Sequence, residues 1–229
     1  TAHLWFLYYL LLFAVLHWVA RTLELAAPAR RVLAANPAWL LFGLPLLLAP
    51  ALAMVSAPHP APEGLLPQFW ALLFYGAFYA LGVLLHGQPD WLVRLRAWRI
   101  PGALACTLAC FVFLWALGRH VAGASPGDTA PWPLALLEAT LAVWLTLGCL
   151  LLGQRWLDWP HPVLRYLAQA AYWTYLLHLP LLFAIQFWLM DRDWHWFAKF
   201  ALACGATLVL CLLSYQLLVR HTPLRRFVG

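Results

Sequence analysis

Long apolar runs alternate with short polar connections along the chain. Seven runs stand out, at approximately residues 3–20, 38–56, 68–88, 100–118, 132–153, 169–190 and 196–219. Each approaches the roughly 20 residues that a helix needs to cross the hydrocarbon core of a bilayer. No period-two alternation of the kind that marks strands competes with them, and no internal repeat is visible. The pattern predicts an all-α, polytopic transmembrane helix bundle of about seven spanning helices, with residues 1–229 as a single integral membrane domain.

The connections alternate in charge. "RTLELAAPARRVLAANP" and "PDWLVRLRAWRI" carry three Arg each, "QRWLDWPHPVLRYLAQ" two, and the tail "RHTPLRRFVG" three. "APHPAPEGLLP" carries none, while "RHVAGASPGDTAPW" and "DRDWHW" set one Arg against one and two Asp. Lys and Arg in short loops stay on the cytoplasmic side. The N-terminus is therefore expected outside and the C-terminus in the cytoplasm. "PDWLVRLRAWR" and "LDWPHPVLRYLAQ" mix Trp, Leu and Arg. They read either as short amphipathic helices lying in the interface or as connections whose charge only sets orientation.

Composition supports the membrane class. The chain is 65% hydrophobic and 10% charged, against about 25% charged in soluble domains. Many of its 15 Trp fall at the ends of apolar runs, where an amphipathic ring prefers the membrane interface. The net charge of +6 is almost all arginine in short loops, so topology accounts for it better than nucleic-acid binding. The five cysteines lie inside apolar runs without a CxxC, and read as small packing residues rather than a disulfide framework or a zinc site. No metal or prosthetic group is expected.

Ionisable and polar side chains within spans carry the candidate chemistry, because they are costly in lipid and tend to face protein or water. In the sixth run Thr174, Tyr175, His178 and Gln186 share one helical face, and Pro180 removes a backbone donor just beyond His178. This stripe reads either as a ligand-lining face or as an interhelical hydrogen-bond set. A second stripe, Tyr75, Tyr79, Gly82 and His86, lies on the third run, with Gly82 expected to let a neighbour approach closely. Glu138 is either a polar anchor in an extracytoplasmic pocket or an interface residue. His17 reads as interfacial, and Arg119 with His120 as a candidate contact for an acidic or sugar ligand. No GxSxG, HExxH, Walker loop or GxGxxG occurs.

Two stretches carry a family resemblance: "HLWFLYYLLLF" at the start and "AYWTYLLHLPL" at 171–181. Together with "FYALGVLLHG" and the ending "HTPLRRFVG", they resemble the acyltransferase 3 family of membrane O-acyltransferases. Within it the resemblance is to the glucan biosynthesis protein C type, which O-succinylates periplasmic glucans. Ala171 stands where that family usually has Ser. Leu10 occupies the Glu position of the "W-S-L-x-x-E" element, unlike the branch typified by O-antigen acetylases.

The resemblance implies a bacterial inner-membrane enzyme with ten helices and both termini cytoplasmic. Seven runs starting outside would then be the C-terminal seven, with about three helices and the family's main catalytic histidine upstream. It also implies transfer of an acetyl or succinyl group from cytoplasmic acyl-CoA, the donor substrate, to a hydroxyl of an extracytoplasmic polysaccharide or glucan. Residues matching the family's motifs are His3 and Trp5 in the first run, and Tyr172, Tyr175 and His178 in the sixth, with His178 in a supporting catalytic role. The rivals are a secondary transporter or flippase, a retinal protein using Lys199, and a non-catalytic membrane subunit. Lys199 lies only about four residues into its run, where it can snorkel to the interface, which disfavours the retinal reading.

Overall fold

The structure, a computed structural model of the chain, describes residues 4–23, 39–64, 66–87, 90–125 and 128–223. All regular structure among them is helical. The helices are α1 (Trp5–Thr22), α2 (Leu44–Leu52), α3 (Phe69–Gly87), α4 (Asp90–Arg94), α5 (Arg99–Gly123), α6 (Trp132–Trp156), α7 (Pro162–Met190) and α8 (Trp196–Ser214). A π-helical turn at Trp39–Gly43 leads into α2, and another at Tyr215–Val219 extends α8. Six helical stretches are long and apolar enough to span a membrane. The protein is a polytopic membrane helix bundle.

The run at 38–56 departs from expectation. Among the described residues its helical part, Trp39–Leu52, falls short of spanning length. At 1.5 Å per residue it reaches only about 20 Å, against a hydrocarbon core of about 30 Å. Two prolines lie within it. Pro45 has no N–H for the Leu41 carbonyl, and the indole of Trp144 on α6 donates to that oxygen instead, at 2.8 Å. Pro50 lies inside α2, and beyond Leu52 the chain tightens into turns, Met54 N–H to Ala51 O and Val55 N–H to Leu52 O.

The chain forms two compact units, residues 1–157 and 158–229. In the first, α6 packs against α2 and α5, and α3 against α1 and α2. Ala135, Ala139, Val143, Leu147 and Leu151 recur every four residues on α6, and all are buried. Across from them lie Ala49, Ala51 and Leu52, also buried. Small residues let two helix backbones approach where lipid offers no hydrophobic drive of its own. The far side of α5 presents Leu104, Leu108, Phe111 and Trp115, each about two-thirds exposed. Spaced four, three and four, they form one apolar stripe that suits lipid rather than water.

α4 is amphipathic, as one reading of "PDWLVRLRAWR" expects. Trp91, Leu92 and Leu95 enter the core while Arg94 and Arg96 stay exposed. "LDWPHPVLRYLAQ" makes no separate interfacial helix: Pro162–Gln169 is the first part of α7. His161 caps this helix, its Nδ1 accepting from Val163 N–H at 3.3 Å, with Pro162 in the first turn. Nothing between there and Met190 stops the helix, which continues through Pro180.

In the second unit α7 packs on α8. Tyr166 Oη donates to Leu212 O at 2.9 Å, and Trp173 Nε1 donates to Ser214 Oγ at 3.0 Å. His195 caps α8, accepting from Phe197 N–H.

Candidate functional site

In the first unit, the start of α1, the end of α2 and the starts of α3 and α6 meet at one end. Ala130 N–H donates to Val55 O at 2.7 Å, and Gln68 N–H donates to the Tyr9 hydroxyl at 2.9 Å. Glu138, one helical turn beyond Leu134 and beside Ala135 and Ala139, lies on the buried face of α6 and is 7% exposed. Its partner comes from the proline-rich connection after α2. Glu138 Oε1 accepts the backbone N–H of His59 at 2.9 Å and lies 2.7 Å from His59 Nδ1. Three aromatic rings wall the imidazole, with centroids at 4.9 Å (Phe74), 5.9 Å (Trp70) and 6.2 Å (Tyr75). Trp70 is itself held by Gln68, its Nε1 donating to Gln68 Oε1 at 2.6 Å. Trp5 packs on Tyr75 at 5.0 Å.

An aromatic seam leads away from this cluster. Trp5, Tyr9, Phe13 and His17 recur every four residues on α1 and meet Tyr75 and Tyr79 on α3. Tyr9 and Phe13 are buried, so the seam is packed side chain, not an open channel. Its tightest point is Gly76, where a Cβ would stand 3.2 Å from the Phe13 ring. Gly82 does not have the expected role: a Cβ there would meet nothing within 4 Å. It instead borders a cleft of about 480 Å³ at the opposite end, lined by His17, Arg21, Phe78, Tyr79, Val83 and His86 among others. Two imidazoles and a guanidinium around a cleft can bind an anion.

The structure thus distributes the candidates read from sequence. Trp5, Tyr75 and Glu138 join the His59 cluster, while Tyr79 and His86 belong to the basic cleft. His3 lies outside the described residues. Arg119 is exposed, its guanidinium over the Trp115 ring at 5.5 Å.

The α7 stripe lies in the second unit and is less unified than its spacing suggests. His178 Nδ1 lies 2.7 Å from the Tyr175 carbonyl of its own helix, with the Tyr175 ring beside it at 5.7 Å. Among the described residues His178 makes no hydrogen bond to α8. The Thr174 carbonyl lies 4.0 Å from Cys211 Sγ of α8. Tyr172 is exposed. Gln186 instead borders an apolar groove of about 750 Å³ between α7 and α8, with Phe183, Phe187, Phe200 and Lys199. Lys199 Nζ donates to the Met190 carbonyl at 3.4 Å, a favourable place for a cation at a helix C-terminus.

An acyltransferase-domain family model matches residues 1–216 of the chain. The chain belongs to the acyltransferase 3 family. No curated protein and no solved structure gives a significant match. The match spans both units, so α1 to α8 all belong to the acyltransferase domain, and the protein is a membrane acyltransferase.

Sequence reasoning did not find His59. It lies in a connection read only for its lack of Arg, and its carboxylate partner is 79 positions away. The available signal was Glu138 itself: a carboxylate inside an apolar run requires a partner, and "APHPAPEG" supplies a histidine on the side where Glu138 was expected to lie.

Proposed function

We propose that the protein moves an acetyl or succinyl group from cytoplasmic acyl-CoA to a hydroxyl of an extracytoplasmic glycan in the bacterial inner membrane. The observation that carries this reading is the acyltransferase-domain match over residues 1–216, on a helix bundle long enough to cross a bilayer. Two features of the first unit support the direction of transfer. The basic cleft of His17, Arg21 and His86 lies at the end where the Arg-rich connections begin, which the charge rule assigns to the cytoplasm. Its cations match the phosphates of a CoA thioester. The opposite end carries Trp5, Tyr75 and the His59–Glu138 pair, aromatic rings with polar groups of the kind that suit a sugar. Tyr172, Thr174, Tyr175, His178 and Gln186 supply a second set of pocket-lining groups, with His178 in support of the chemistry.

The test incubates the whole gene product in detergent with radiolabelled acetyl-CoA or succinyl-CoA and a glucan oligosaccharide, and measures ester on the glycan alongside free thiol. Ester formation with matching thiol release is the expected result. Solute movement by reconstituted protein without thiol release would instead identify a transporter. If H178A and wild type modify the glycan equally, His178 has no part in the reaction.

A further inference from the structure

We propose that His59 is a base for the acceptor hydroxyl and that Glu138 is its positioning residue, an inference that rests on the acyl-transfer reading above. Glu138 Oε1 sits 2.7 Å from Nδ1 and 2.9 Å from the backbone N–H of the same histidine. One carboxylate oxygen therefore fixes both the main chain and the ring of His59. In the proposed arrangement Glu138 is an ionised carboxylate, which can only accept, so that Nδ1 carries the proton and the lone pair lies on Nε2. Nε2 makes no hydrogen bond to any described residue, and the side chain is 27% exposed. Phe74, Trp70 and Tyr75 wall the ring. The buried Glu138 is out of substrate's reach, and its Oε2 has no hydrogen-bond partner among the described residues.

This is the chemistry of a carboxylate-oriented imidazole base. The carboxylate selects the tautomer and stabilises the imidazolium that forms as the proton moves, without itself becoming protonated. The acceptor O–H gives its proton to Nε2 as its oxygen forms a bond to the thioester carbonyl carbon, which the long arm of the CoA donor must bring to this end past the packed Tyr9 and Phe13 rings. The tetrahedral adduct then collapses, the C–S bond breaks, and the departing thiolate takes the proton from Nε2. The products are an ester and a free thiol, and His59 returns to its starting state.

The test uses the whole gene product in detergent, with acetyl-CoA and succinyl-CoA as donors and a glucan oligosaccharide as acceptor. Variants H59A, H59Q and E138Q are compared at equal amounts of membrane-inserted protein. Loss of a positioned base costs about 100-fold or more, so H59A and H59Q should lose about that much kcat while KM for the donor stays unchanged. Added imidazole should restore part of the H59A rate and none of the H59Q rate, where the glutamine fills the site. E138Q keeps an oxygen acceptor but loses the charge, and should lose about tenfold in kcat at unchanged KM. An H59Q protein that inserts normally and turns over near the wild-type rate overturns the assignment. So does an H59A defect that raises KM and ignores imidazole, which would mark a structural role. A wild-type protein that transfers from neither donor overturns the acyl-transfer reading itself, whereas an active wild type with an active H59Q overturns only the base.

Discussion

Replacing Glu138 with alanine should release the connection after α2, and the structure sets the size of the effect. Two groups of His59 depend on Glu138 Oε1: the backbone N–H at 2.9 Å and Nδ1 at 2.7 Å. A hydrogen bond to a charged group contributes about 1.5–3 kcal/mol. The lower figure applies because His59 is 27% exposed and water can partly replace its partner. Losing two such bonds therefore costs about 3 kcal/mol of local stability. At about 1.4 kcal/mol per tenfold, the open population of the connection should rise roughly 100-fold. Amide hydrogen exchange reads that population directly. Pro58, Pro60 and Pro62 have no amide proton, so residues 58–62 report on His59 and Ala61 alone. The His59 amide should exchange about 100-fold faster in E138A, and by an intermediate factor in E138Q, which keeps an oxygen acceptor. Exchange at the wild-type rate in E138A would refute the view that this carboxylate anchors the connection.

Three other substitutions test the packing and the cleft. Gly76→Leu would drive side-chain atoms into the Phe13 ring, since even a Cβ stands 3.2 Å from it; overpacking of this kind costs about 1–3 kcal/mol, visible as a lower melting temperature in detergent. Gly82→Phe meets no neighbour at Cβ and projects into the basic cleft, so the melting temperature should hold while KM for acyl-CoA rises about tenfold, equivalent to about 1.4 kcal/mol of binding. An unchanged KM would remove the cleft from donor binding. Trp144→Phe keeps an aromatic ring but deletes the donor to the Leu41 carbonyl, and should destabilise the protein by about 1–2 kcal/mol; an unchanged melt would show that Leu41 finds another donor.

The helices were legible to within a few residues where hydrophobicity alone decides them. The runs at 68–88, 132–153 and 196–219 correspond to Phe69–Gly87, Trp132–Trp156 and Trp196–Val219. Misreadings came where a single residue sets a boundary. His161 and Pro162 start α7 seven residues before the apolar run at 169, through a cap that hydropathy does not register. In the run at 38–56 the described helix ends at Leu52, where the chain tightens into turns that hydropathy does not register. At the candidate site, Tyr75, Tyr79, His86 and Glu138 were visible because polar groups inside apolar runs stand out. Their division between two ends of the unit was not visible, because helical spacing says which residues share a face and not what faces them.

Gly76 and Gly82 show the same limit. Both lie on α3, and only the position of Phe13 on α1 makes one a close approach and the other the edge of a cleft. By itself the sequence determined the membrane class, the helical architecture and the approximate spans, because transfer of a side chain into lipid is a property of each residue and its near neighbours. Only the tertiary structure decided that Glu138 meets His59. That pairing depends on α2, α3 and α6 converging at one end, and a hydrogen bond across 79 positions leaves no periodicity along the chain.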